Sequence, residues 1–460
     1  MKDITYDARI YKTEVYKGKK VTTYYVRWST GGKPWKEPYR NAAQADVFRS
    51  ELMTAARRGE AFSMATGRPV SWKREETALS WYGFTLAFVE AKWPHASPNH
   101  RRGIAEALVD ATEALLSTES GVPSRDVRRT ALRWAYSTRI RDGEKAPADL
   151  EKVLRWLEDN TVALADFDEQ GRGAVLARAI LTRISQTMDG KPAAANTANR
   201  KRMVLNSAME YGQEIGLLKA NPFKTVKWTR PRTLSTVDPR AVINSEQARR
   251  FLTAVRLDSK RGERMEAFFG CMYYAALRPE EVVDLRRVHL HSLPEEGWGE
   301  MRLTNAEPRA GSRWTNSGKP RERRGLKHRA EGDTRPIPIH PELVSLLRAH
   351  LGRFGTGPEG RVFIGPRGGL MTDRAYLKVF HEARKKAFTS EEASSPLMDV
   401  PYTLRHAAVS TWLNAGVPAP QVAEWAGHSV DVLLRVYAKC IYGQQSEAMS
   451  RIWEATRSSM

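Results

Sequence analysis

The sequence predicts a multidomain, mainly α-helical chain of 460 residues. It should carry a small three-stranded β-sheet with one helix at the N-terminus, then a helical bundle, then an α+β domain. Three patterns predict this. Alternating strand-like runs are confined to the stretch before Arg40, helical periodicity is unbroken from about Thr77 to Trp228, and after Ser245 short helices flank a basic hairpin and a strand. A chain of this length exceeds one ordinary core, so several domains are expected.

In the first part, Ile10 to Val15, Val21 to Trp28 and Trp35 to Arg40 read as strands, joined by turns at Lys17-Gly-Lys and Thr30-Gly-Gly-Lys33. Asn41, with Gln44, should cap a helix whose Ala45, Phe48, Leu52 and Ala55 share a face. Gly67-Arg-Pro-Val-Ser71 reads as the linker that follows, which places the first domain at 1–65. The second, 76–228, is helical, with Trp81, Phe84, Phe88 and Ala91 on one face and Val204, Ala208, Tyr211 and Ile215 on another. Asp126 to Asp168 reads as an insertion in this bundle. Asn196 to Arg202 is basic, either a contact to a polyanion backbone or a solvated helix start. Asn221-Pro222 ends the bundle, Lys224 to Arg240 is the linker, and the third domain spans 242–460.

A formal net charge of +21 at pH 7 makes a polyanion the expected partner. The only cysteines, Cys271 and Cys440, lack zinc spacing, which argues against a disulfide framework or a structural zinc. Met1-Lys-Asp-Ile-Thr has no signal-peptide apolar core and no run is long enough to span a bilayer, so no membrane association and a cytoplasmic location are expected.

The chemistry sits near the C-terminus. Tyr402-Thr-Leu-Arg405-His406 opens a helix that Asn414-Ala-Gly416-Val-Pro418 stops. A second short helix carries Val422, Trp425 and Ala426 and ends at Gly427, leaving His428 in a turn. Ser429 then caps a third, in which Leu433 and Tyr437 share a face. The nine positions from His428 to Tyr437 span roughly 13 Å of helix, so the two side chains should converge on something held between them rather than touch. A phosphodiester suits that gap. Two arginines neutralise the charge that builds up in its transition state, and a tyrosine hydroxyl beside such a field becomes a usable nucleophile, leaving a covalent phosphotyrosine. The second arginine is Arg278 in Ala275-Ala-Leu-Arg-Pro-Glu-Glu281, where Leu277, Glu281 and Leu285 read as one helical face and Glu281 can orient Arg278. Between the arginines, Lys319 to Arg329 reads as a basic hairpin leading into the strand Arg335-Pro-Ile-Pro-Ile339, and a lysine there can protonate the leaving oxygen.

In order, spacing and chemistry, the stretch from Ser245 to Met460 resembles the tyrosine recombinases, also called phage-type integrases. The matching pieces are Ala-Leu-Arg278-Pro-Glu-Glu281, a hairpin lysine before Arg335-Pro-Ile-Pro, Leu-Arg405-His406, Ala-Gly427-His428 and Tyr437. The resemblance implies a tyrosine-recombinase catalytic domain in which Arg278 and Arg405 clamp the scissile phosphate and Tyr437 attacks it. His428 then assists the transition state and Lys327 serves as general acid, with Lys319 or Arg329 as alternatives. Tyr402 stands where the family most often has histidine, and a phenol cannot shuttle a proton near neutral pH. The 3′-phosphotyrosyl bond conserves the energy of the broken linkage, so neither ATP nor a metal is required.

By the same resemblance, 1–65 is an arm-type DNA-binding domain, 76–228 a core-site DNA-binding domain, and the amphipathic tail from Tyr442 packs on a neighbouring protomer or on its own domain. The expected function is site-specific recombination of double-stranded DNA, integrating and excising a prophage or mobile element as a homo-tetramer with accessory bending or directionality proteins. The alternatives are a chromosome or plasmid dimer resolvase of the same chemistry and a catalytically decayed sequence-specific DNA-binding protein.

Overall fold

The computed structural model describes residues 4–18, 21–70, 72, 79–232, 236–326, 329–330, 332–365, 367–440 and 445–456. The chain divides into two units, residues 1–96 with 103–231 and residues 97–102 with 232–460.

The N-terminal sheet is present with four strands rather than three. The expected first strand breaks into Ala8–Ile10 and Glu14–Lys17, both antiparallel to Thr22–Thr30, whose other edge pairs with Lys33–Tyr39. Strand periodicity turns Val26, Trp28 and Thr30 inward, where Val26 and Trp28 join Ala45, Leu52 and Ala55 of the helix Ala42–Arg57. Asn41 caps that helix by accepting from the Ala43 amide at 2.8 Å. Phe62–Ser63, just before the stretch expected to be a linker, pairs with Ile4–Thr5, and the first residue of that stretch is tied down, the Gly67 carbonyl accepting from the Trp28 indole. Gly67 adopts φ +71°, and a Cβ there would lie 2.4 Å from the Trp35 ring, so glycine is required for this closure.

The helices that follow include Trp81–Lys92, Pro98–Glu113, Arg172–Ile184 and Ala195–Glu214. The two predicted apolar faces meet, with Phe84 and Phe88 packing on Tyr211 at ring separations of 6.3 and 5.8 Å. Ala91 and Ile215 lie at the helix ends and are exposed. The stretch read as an insertion contributes core: Leu132, Tyr136 and Leu157 are buried, and the Tyr136 hydroxyl bonds Thr85 at 2.9 Å. Of the basic run Asn196 to Arg202, Lys201 pairs with Asp110 and Arg202 lies over the Trp228 ring at 5.1 Å, while Arg200 is largely exposed and reaches Glu106 at 4.0 Å.

In the second unit, Asn244 and Gln247 form a reciprocal capping box that starts the helix Ser245–Asp258. A three-stranded antiparallel sheet follows, in the order Arg335–Ile339, Gly299–Leu303, Leu290–Ser292. Ile337 and Ile339 point from it into a core shared with Phe251, Phe268, Phe269 and Phe380. The hairpin legs are Asn305–Ala306 and Arg324–Gly325, so Lys319 lies in the loop between them. A smaller core gathers Ala276, Leu413, Val422, Ala426, Leu433 and Tyr437. The last helix, Gln445–Thr456, exposes Met449, Ile452 and Trp453, so those side chains are not docked on this chain. No helix among the described residues is long and apolar enough to cross a membrane.

Candidate active site

Arg278 lies just before a helix rather than within one. Pro279 occupies the first helical position, so the helix is Pro279–Val283 and Leu277 is outside it, unlike the continuous face read from the spacing. Glu281, at the third helical position, accepts from the Arg278 backbone amide at 2.8 Å and from its Nη1 at 2.7 Å. Arg278 Nη2 donates to the Gly427 carbonyl at 2.8 Å.

Glu281 has a second cation. Arg335, 1% exposed, donates Nη1 to Oε1 at 2.9 Å and Nη2 to Oε2 at 2.7 Å, a bidentate pair. Burial alone would raise the Glu281 carboxyl, but Arg335 and Arg278 overcome it and hold the group below the usual carboxylate range. In the sequence Arg335 reads only as the start of a strand. Strand parity was the available signal, since Arg335 shares a face with Ile337 and Ile339, both fully buried.

Arg405 is fully buried on the helix Tyr402–Asn414. It donates Nη1 to the Ala276 carbonyl and Nη2 to the Ala426 carbonyl and to His428 Nε2, the last at 2.9 Å. Ala276 is a non-glycine residue at φ +51°, a costly conformation that turns its carbonyl towards the guanidinium. Burial and then Arg278 lower the Arg405 pKa, with Tyr402 and Glu281 opposing, yet arginine stays charged. The Arg405 Nε and His428 Nδ1 are buried without a described partner, two polar groups available to an anion. Because arginine only donates, His428 Nε2 must accept, which places the proton of the neutral ring on Nδ1.

His428 follows Gly427, which ends the helix Ala419–Ala426 in the left-handed conformation at φ +64°. A Cβ on Gly427 would sit 2.4 Å from Arg335 Nη1. The rings of His428 and Tyr437 are 6.1 Å apart, closer than a straight helix predicts, because His428 lies in the turn before the helix Val430–Tyr437. The Tyr437 hydroxyl contacts His406 Nδ1 at 2.8 Å. Burial raises the Tyr437 pKa above its ordinary value, with Arg405 opposing.

The structure therefore brings Arg278, Arg405, His428 and Tyr437 together. Tyr402 borders the group, its ring 5.0 Å from the His406 ring and 5.9 Å from the Arg405 guanidinium carbon. Lys327 lies outside the described residues. Of the alternatives, Lys319 is exposed, while Arg329 is held by Asp333 at 3.0 Å and by the Thr334 carbonyl at 2.9 Å. No group of three metal-ligating side chains occurs among the described residues.

His406 and His428 give the fold an acid limit. Burial and then Arg405 push His406 down to about 4 and His428 to about 3. Between the unfolded value of about 6.5 and these values the unfolded chain binds more protons than the folded one, so stability rises with pH and is lost on acidification. Each histidine contributes at most about 1.4 kcal/mol per pH unit. Thermal melts should show the melting temperature falling as pH is lowered from 6.5 to 4; a flat profile would contradict the buried, neutral imidazoles.

The sequence pattern of the phage integrase family matches residues 241–442. The tyrosine recombinase XerD of Ralstonia nicotianae is 26% identical over 253 residues, 53% of this chain and 68% of that protein. An integrase of transposon Tn1549, solved in complex with a circular intermediate DNA, aligns over 71% of this chain and 99% of that one, at 18% identity and a TM-score of 0.49. The site-specific recombinase XerH, solved bound to a palindromic difH substrate, aligns over 78% and 96%, at 14% identity and a TM-score of 0.44. Residues 241–442 therefore carry the sequence pattern of the phage integrase family, and the chain is similar to the tyrosine recombinases, enzymes that cleave and rejoin DNA.

Proposed function

We propose that the chain is a site-specific integrase of a prophage or related mobile element, acting on double-stranded DNA through a 3′-phosphotyrosyl intermediate. The observation that carries this reading is the convergence of Arg278, Arg405, His428 and Tyr437 on one spot with two buried donors unspent. Arg278 and Arg405 hold the phosphodiester, and the Tyr437 oxygen attacks phosphorus as the bond to the 5′ oxygen breaks. The Nδ1–H of His428 stabilises the charge on the non-bridging oxygens. Lys327 protonates the leaving oxygen, with Lys319 as the alternative; Arg329 cannot, because arginine does not give up its proton. Tyr402 donates a hydrogen bond and moves no proton.

Residues 1–65 contact arm sites, 76–228 the core site and 242–460 carry the chemistry. The N-terminal sheet supports integration over the resolvase reading, since a resolvase has no need of an arm-binding module. The net charge of +21 suits a DNA partner, and Arg200 supplies a backbone contact from the basic helix. The exposed Met449, Ile452 and Trp453 suit a tail that packs on a neighbouring protomer in a tetramer.

The test is covalent trapping on nicked duplexes built from the sequence that borders the encoding element. The wild type should give a denaturation-resistant protein–DNA species. Tyr437→Phe should bind the same duplex and give none. Tight binding by both proteins with no adduct from either, on duplexes spanning both element ends, would favour a DNA-binding protein that has lost cleavage.

A further inference from the structure

We infer that His406 is the catalytic proton acceptor for Tyr437, taking the phenol proton at Nδ1 as the tyrosine attacks and returning it on rejoining. The inference rests on the reading of Tyr437 as nucleophile and assigns a group that reading leaves open. A neutral phenol is a poor nucleophile until its proton has somewhere to go. His406 Nδ1, at 2.8 Å, is the one described hydrogen-bond partner of the Tyr437 hydroxyl.

The other nearby groups do not suit the task. His428 Nε2 is occupied by Arg405, and its ring lies 6.1 Å from the Tyr437 ring, centre to centre. Tyr402 stacks edge-on to His406 and is itself a phenol, with no lone pair basic enough to take a proton from another. Arg278 and Arg405 only donate.

The geometry is also fixed in advance. His406 follows Arg405 on the same helix, so the contacts that anchor the guanidinium orient the imidazole. Tyr437 is held from the other side by the small core that includes Leu433 and Ala426. The groups facing His406 are Arg405 and Tyr402 from its own helix, His428 from the turn and Tyr437 from the last short helix. Burial, and then Arg405 beside it, favour the neutral ring, the form that can accept. A bound phosphodiester places negative charge against Arg405 and so favours the imidazolium that the transfer creates.

The step balances. The Tyr437 oxygen–phosphorus bond forms while the phosphorus–5′-oxygen bond breaks. The phenol proton moves to His406 Nδ1, and the leaving 5′ oxygen receives a proton from the general acid. Rejoining reverses each transfer, with no oxidant, metal or nucleotide.

Two variants separate proton transfer from positioning. His406→Asn puts an amide near the place of Nδ1 and can hold the hydroxyl, but it cannot take its proton. His406→Ala does neither and leaves space for free imidazole. Single-turnover adduct formation should be slowed by about 10²–10⁴-fold in both. Duplex binding and thermal melting, measured alongside, should stay near wild type, and added imidazole should restore His406→Ala in part. Wild-type rates in His406→Asn with a slow His406→Ala would reduce His406 to a positioning residue, and wild-type rates in both would remove it. An adduct from Tyr437→Phe would instead overturn the underlying reading.

Discussion

Glu281→Gln should lower the stability of the second unit by about 3–5 kcal/mol, because it removes the one anion between two buried guanidinium groups. Glu281 is 2% exposed and meets both Arg278 and Arg335 at 2.7 Å. Glutamine nearly matches its shape but carries no charge and offers one acceptor oxygen where the carboxylate offers two. Arg278, Arg335 and Arg405 are then left together without compensation. A melting temperature lower by roughly 10 °C is the expected reading. Adding Arg335→Met to Glu281→Gln should recover part of the loss, because it removes one of the stranded charges. If the double variant is no more stable than the single, the cost lies in packing and the electrostatic account fails.

Arg405→Lys should retain duplex binding, which the positive surface largely supplies, and slow adduct formation by about 10²–10³-fold. An ammonium has enough protons for three acceptors, but it lacks the planar fork that reaches Ala276, Ala426 and His428 at once. A lysine that satisfied the two carbonyls would release His428 and remove the Nε–H now free for an anion. Single-turnover cleavage of the nicked duplex checks this. A rate within a few-fold of wild type would show that positive charge at this position suffices without the fork.

Several parts of this arrangement were legible in the sequence. Trp81, Phe84 and Phe88 follow helical spacing onto a buried face, and Val26 and Trp28 follow strand spacing inward. The group around Arg405 could be anticipated because its members are chemically unusual in sequence, an arginine and histidine pair and a glycine before a histidine. Arg335 was not recognised, although strand parity placed it with Ile337 and Ile339, because a charged residue on an inward position is expected only once its partner is known. That partner lies 54 residues away. The contact between His406 and Tyr437 spans 31 residues and three helices, and no local period encodes it. The first strand divided because one residue count fitted both a continuous run and two pieces on the same neighbour, and only pairing with Thr22–Thr30 decides between them. Lys327 remains an assignment from resemblance, outside the described residues.

Arg405 is moored to a carbonyl 129 residues before it and to another 21 residues after it. A chain that is partly melted still possesses Tyr437 but has nowhere to seat a phosphate. On the proposed reading, the hazard such a protein must avoid is a half-built site that cuts DNA without mending it. Tying the clamp to main-chain atoms from both ends of the domain acts as an interlock, so that the blade is armed only after the last piece of the fold has closed around it.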